Sequence, residues 1–182
     1  MDFNSDHFSL FGLPRRFRLD MNDLDAAWRA VQGVIHPDRF AGASGSEQRL
    51  SMQWAARVNE AYQTLKSPLT RASYLLQLFG EKIGTEDNTA MPPDLLLTQV
   101  ERREKLASLV SGKNAAGIAQ FKDQLNDELQ TEYAQLAVLL DDNTDFSAAA
   151  ALLRRVMFTD KLRLEATEAQ ATVEDQEFQS QS

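Results

Sequence analysis

Apolar residues recur every three or four positions along nearly the whole chain, and no stretch shows the strict alternation of a half-buried strand. The pattern predicts an all-α protein. A short first helix is expected over His7–Leu13, with Phe8, Leu10, Phe11 and Leu13 apolar. Asp20 is placed to cap a second helix, whose inward stripe is Leu24, Trp28, Val31 and Ile35. A loop from His36 to Gly45 follows. Ser44 and Glu47 then have the spacing of a capping box. The third helix carries Leu50, Trp54, Val58, Ala61, Tyr62 and Leu65 at the same period. Two such stripes joined by a short loop make an antiparallel hairpin.

Ser67 and Pro68 restart the chain, because proline is tolerated at the first helical position. Leu69, Ala72, Leu76 and Phe79 form the next stripe, and Gly80 suits its end. Residues 80–93 are polar and broken by Gly84, Pro92 and Pro93, so they read as a linker. Three further helices are expected. The first runs from about Asp94 to Val110 with Gly112 as its stop. The second runs from Ala115 to Leu140, with Ile118, Phe121, Leu125, Leu129, Leu136 and Leu140 inward. The third begins near Asp145, with Phe146, Leu153, Val156 or Met157, and Leu164. Past Thr167 the period fades, and residues 168–182 are expected to fray or be disordered. The organisation is a hairpin with flanking short helices in 1–79, a linker in 80–93, and a three-helix bundle in 94–167.

Composition narrows the chemistry. The 182 residues include no cysteine, which removes disulfides, thiol nucleophiles and thiolate metal sites. Two histidines and scattered carboxylates give no metal-ligand spacing, and there is no glycine-rich phosphate loop, so neither an enzyme nor a resident cofactor is expected. The net charge of −8 argues against nucleic acid as a partner. The charge is uneven: residues 1–83 carry +1 and residues 84–182 carry −9, which suggests two units meeting different partners. Met1–Leu13 has no basic residue and does not read as a signal peptide, and no apolar run approaches the roughly 20 residues of a membrane span. A cytoplasmic protein without membrane contact is expected.

His36-Pro37-Asp38 stands out between the two hairpin helices. Pro37 fixes its own φ, lacks a donor and pushes His36 out of the helical region, so a stiff, charged corner is expected there. Alone, the tripeptide reads equally well as a helix stop. With its flanks it resembles the J-domain of DnaJ-type co-chaperones. The residues that carry the resemblance are Trp28-Arg29, the run Ile35-His36-Pro37-Asp38-Arg39-Phe40, the run Val58-Asn59-Glu60-Ala61-Tyr62-Gln63-Thr64-Leu65, and Ser67-Pro68. Further runs resemble the HscB family, J-domain co-chaperones of iron–sulfur cluster assembly, over about residues 7–165. They are Phe8 to Pro14, Arg71 to Leu76, Gln99 to Glu104, and Phe158 to Arg163.

The resemblance implies a mechanism. The J-domain stimulates ATP hydrolysis by a DnaK/HscA-type chaperone, with His36, Pro37, Asp38, Arg29 and Arg39 at the chaperone contact. The bundle binds an IscU-type iron–sulfur scaffold protein and delivers it to that chaperone. Scaffold binding is implied for Leu96, Leu97, Val100, Glu101, Arg103 and Glu104, with Phe158 from the last helix. The pattern gives its own reason: Leu95, Leu96 and Leu97 span roughly 200° of a helix and cannot all face one core. A J-domain co-chaperone with a different client is the alternative. J-domains usually present several basic residues on the second helix, whereas here Arg29 stands beside neutral Gln32 and Gly33.

Overall fold

The computed structural model describes residues 3–35, 42, 44–81 and 93–180. Most of the described residues are helical, with no strand among them. The elements are α1 (His7–Leu10), α2 (Met21–Ile35), α3 (Gly45–Lys66), α4 (Pro68–Leu78), α5 (Pro93–Ser111), α6 (Ala115–Ala137) and α7 (Phe146–Ser180), with a π-helical turn at Val138–Asp142 between the last two. No described helix is long and apolar enough to cross a membrane.

α1 stops at Leu10, short of the expected Leu13, because Gly12 takes φ +65° and Pro14 follows. Asp6 caps it by accepting from the amides of Phe8 and Ser9. Asp20 likewise accepts from the Asn22 amide at the start of α2. The expected capping box opens α3: the Ser44 hydroxyl receives the Glu47 amide, and the Glu47 carboxylate receives the Ser44 amide. Ser67 makes no side-chain cap, but Pro68 occupies the first turn of α4 as expected.

The α2–α3 hairpin is tied by the residues of the Asn59-to-Leu65 signature. Val58, Ala61 and Leu65 are fully buried. The Asn59 carbonyl oxygen accepts from the Trp28 indole (3.2 Å) and the Gln32 amide (2.8 Å). The Tyr62 hydroxyl donates to Asp25, and its ring packs 4.9 Å from Trp28. One expected core position fails. Leu50 is 49% exposed, and its neighbour Ser51 is buried instead, donating its hydroxyl to the Ile35 carbonyl at 2.7 Å. Apolar periodicity favours Leu50 because the partner of Ser51 is a backbone oxygen, which that spacing does not show.

The largest core crosses from the hairpin into the bundle. Phe8, Phe11, Leu24, Leu75 and Leu76 pack in one cluster with Leu136, Leu140, Ala149 and Leu153. Helix α4 lies against α7, and Phe79, exposed rather than inward, stacks on Phe146 at 4.1 Å. A second, smaller cluster fills the far end of the bundle with Leu106, Ile118, Phe121, Leu125, Leu162, Ala166 and Val173. All six expected inward positions of the second bundle helix are buried. In α7 the stripe differs: Leu164 is exposed, while Leu162 and Ala166 are buried. The helix also continues to Ser180, through the segment expected to fray. Ala169 and Val173 pack on the far-end cluster, and Lys122 of α6 donates to Gln170, so tertiary contact sustains a stretch of weak apolar period.

Candidate functional site

His36, Pro37, Asp38 and Arg39 lie outside the described residues. The stem that leads to them is described. Ile35 is buried at the end of α2, and Ser51 holds its carbonyl. On the re-entry side the Ser44–Glu47 box fixes the first turn of α3. Arg29 projects from α2 with an exposed side chain, 3.9 Å from Asp25 one turn away. Gln32 is not available to a partner in the same way, since its amide is engaged by Asn59.

The bundle presents a second candidate face, on α5. Ion pairs and side-chain hydrogen bonds fix the helix directions. Arg102 of α5 meets Glu128 of α6 at 2.9 Å, and Lys105 donates to Gln124, so α5 and α6 are antiparallel. Arg155 of α7 meets Glu132 and Lys122 meets Gln170, so α6 and α7 are antiparallel too. Helices α5 and α7 therefore run parallel, and Arg103 lies 3.8 Å from Glu165 between them. Seven residues back from that pair, about two turns on each helix, stand Leu96 and Phe158. Leu96 and Phe158 thus sit at one level where α5 and α7 run side by side, with Phe158 half-buried.

Along its first half, α5 turns apolar residues outward and mostly polar ones inward. Leu96 is 54% exposed, Leu97 60% and Val100 48%. Glu101, Arg103 and Glu104 are exposed around them. The inward positions of the same turns are Leu95, Thr98, Gln99 and Arg102, all half-buried and three of them polar. Leu106 is the α5 side chain that enters the core. A helix that turns leucines outward and a paired arginine inward has the make-up of an interface centre with a charged rim, not of a surface helix turned to water. Among the described residues no cluster of three or more metal-ligating side chains occurs.

Two features escaped the sequence reading. Glu132, buried in α6, accepts from Arg155 Nε at 2.6 Å; burial pushes its carboxyl up and Arg155 pulls it back. Asp141 caps a loop that lies 124 residues earlier in the chain. Neither carries a local pattern, because the partner of each is set by packing.

Residues 91–167 match the family model described as the HSCB C-terminal oligomerisation domain. The chain is 48% identical over 159 residues to a co-chaperone protein HscB homolog of Burkholderia thailandensis, covering 87% of this chain and 90% of that protein. A homolog of the same name from Azoarcus is 44% identical over 175 residues, covering 96% and 99%. The structure is similar to chaperone HscB from Vibrio cholerae, with TM-score 0.81, 36% identity and coverage of 93% of this chain and 99% of that one. It is also similar to human co-chaperone protein HscB, with TM-score 0.86, 27% identity and coverage of 92% and 83%. A two-part helical fold, a J-type signature and these relatives place the chain in the HscB family of co-chaperones.

Proposed function

We propose that this co-chaperone stimulates ATP hydrolysis by a DnaK/HscA-type chaperone through His36, Pro37 and Asp38, and that it brings an IscU-type scaffold protein to that chaperone for cluster transfer. The J-unit is assigned to residues 1–79 and the scaffold-binding bundle to 94–167, joined by the linker 80–93. Arg29 and Arg39 flank the chaperone contact. A chaperone arginine facing Asp38 would make a charge-assisted, directional pair. The ATP chemistry belongs to the chaperone, and the cluster is cargo on the scaffold. This chain has no thiolate with which to hold it.

The observation that carries the reading is the outer face of α5, with Leu96, Leu97 and Val100 outward beside Glu101, Arg103 and Glu104, and Phe158 at the same level. A continuous core between hairpin and bundle supports delivery as well, because it holds the two faces in a fixed relation. The test is calorimetric titration with an iron–sulfur scaffold protein, wild type against a Leu96→Ala, Leu97→Ala, Phe158→Ala triple variant. Binding by wild type that collapses in the variant is expected. Equal binding by both moves the scaffold face elsewhere, and no binding by wild type leaves a co-chaperone with a different client. His36→Gln is expected to abolish ATPase stimulation while leaving scaffold binding intact.

A further inference from the structure

Ser51 is a polar residue in an apolar seam. It stands seven residues before Val58 and fourteen before Leu65, so the three share one face of α3, and all three are buried. Packing alone would put an apolar side chain there. A buried hydroxyl costs free energy unless it is hydrogen-bonded. The bond that Ser51 makes is specific: its hydroxyl donates to the Ile35 carbonyl at 2.7 Å. Ile35 is the last residue of α2. The last four carbonyls of a helix have no donor within that helix. For Ile35 the opposing helix supplies one.

The oxygen that Ser51 holds belongs to the peptide group shared by Ile35 and His36, and that group is planar. Holding its oxygen therefore sets the direction in which the chain leaves α2 toward His36, Pro37 and Asp38. The buried Ile35 side chain anchors the same group from the helix side. On the return side, the Ser44–Glu47 capping box sets how the chain enters α3.

We propose that Ser51 is a positioning residue for the stimulation of ATP hydrolysis: acting through Ile35, it aims the His36-Pro37-Asp38 corner at the chaperone without touching the chaperone itself. The inference rests on the reading of that corner as the chaperone contact. A corner with one exit direction costs a partner little ordering. Without the hydroxyl the peptide group turns more freely, and only a fraction of molecules present the corner productively. Apparent affinity falls by that fraction, while the complex once formed is the same. The signature is a higher co-chaperone concentration for half-maximal stimulation, with the maximal stimulation retained.

The experiment titrates a purified DnaK/HscA-type chaperone with wild type, Ser51→Ala, Ser51→Thr, Asp141→Ala and His36→Gln, reading single-turnover ATP hydrolysis. Urea unfolding is run on each. Ser51→Ala is expected to raise the half-maximal concentration about three- to tenfold and to keep the maximum. Ser51→Thr keeps the donor and should return close to wild type. Asp141→Ala weakens the fold at the opposite end of α2, where Asp141 holds the preceding loop, and should keep the wild-type half-maximal concentration. Wild-type behaviour of Ser51→Ala, with His36→Gln still inactive, overturns the inference and spares the reading beneath it. A rise that Ser51→Thr shares in full also overturns it, as does one that Asp141→Ala matches at equal loss of stability, since weakening of the fold would then account for the effect. Wild-type stimulation by His36→Gln removes the reading of the corner itself.

Discussion

The carboxylate of Asp141 accepts hydrogen bonds from the backbone amides of Phe17 at 2.6 Å and Arg18 at 2.8 Å, binding the loop before α2 to the turn before α7. Arg18 reaches on to Asp142 through its two terminal guanidinium nitrogens, at 2.7 and 2.8 Å. Arg71 lies over the Phe17 ring at 5.1 Å and donates to the Leu65 carbonyl. The π-helical turn at Val138–Asp142 brings the two aspartates to this junction. The contact closes the apolar cluster that runs from hairpin to bundle, so it bears on how rigidly the two faces are related.

Removing the buried acceptor should therefore cost more than removing the exposed one. Asp141→Ala leaves two amides without their partner and is expected to lower stability by about 1–3 kcal/mol. Asp142→Ala removes an exposed ion pair and should change the denaturation midpoint little. Urea unfolding of both variants tests the order. Equal effects would mean that the loop amides find water without penalty.

His7 offers a pH-dependent test. It is buried, its ring stacks on Tyr74 at 4.2 Å, and Nδ1 has no hydrogen-bond partner. Burial, with Arg57 nearby, holds its pKa below the ordinary 6.5, against the weaker pull of Glu60 and Asp6. A depressed folded value means that the unfolded chain binds the proton more readily. Stability is full above 6.5 and is lost as pH falls through that value toward the folded one. The wild-type midpoint should drop between about pH 8 and about pH 5.5, and His7→Phe, which keeps a stacking ring, should flatten that drop. The backbone bond from His7 to the Tyr74 hydroxyl survives the change. An unchanged pH slope in the variant would assign the drop to other groups.

What the sequence made legible was local. The six inward positions of the second bundle helix follow one helical period, broken only where Glu132 stands between Leu129 and Leu136, and all six are buried. The Ser44–Glu47 box closes over three residues and forms as expected. The outward leucines of α5 could be anticipated because three in a row cannot share one face. Illegible features share a cause, which is a partner far away in sequence. Ser51 replaces Leu50 in the core because it meets Ile35 of the opposing helix. The segment after Thr167 is helical because Val173 meets the far-end cluster. Glu132 is buried because α7 supplies Arg155.

That last pair gives a further prediction. Arg155→Ala strands a buried carboxylate and is expected to cost about 2 kcal/mol near neutral pH, less than a fully buried pair because Arg155 is half exposed. Burial raises the folded pKa of Glu132 above the ordinary 4.5, so its penalty is absent below that value and grows as pH rises through the folded one. Loss of Arg155 raises the folded value further. The gap between variant and wild type should narrow when the midpoint is measured near pH 5 instead of near pH 7. A double variant, Glu132→Met with Arg155→Met, should recover most of the loss, since apolar replacement removes the stranded charge. A double variant as unstable as Arg155→Ala would show that packing, not charge, sets the cost.

Gln32 tests the electrostatics of the J-unit face. It lies on α2, one turn from Arg29, and its amide is engaged by Asn59 at 2.8 Å. Gln32→Lys breaks that bond, at a cost of about 1 kcal/mol, and adds a second cation beside Arg29. If the chaperone presents an acidic surface, the added charge should speed encounter and lower the chaperone concentration needed for half-maximal ATPase stimulation at low salt. Screening should erase the gain at high salt, where charges more than a few ångströms apart no longer sense each other. The maximal stimulation should stay the same if, as proposed, it depends on the His36-Pro37-Asp38 corner. ATPase titrations at two ionic strengths, paired with thermal unfolding of the same variant, separate the terms. A gain that persists at high salt would point to a direct contact at residue 32. No gain at low salt would mean that this face of α2 does not meet acidic groups on the chaperone.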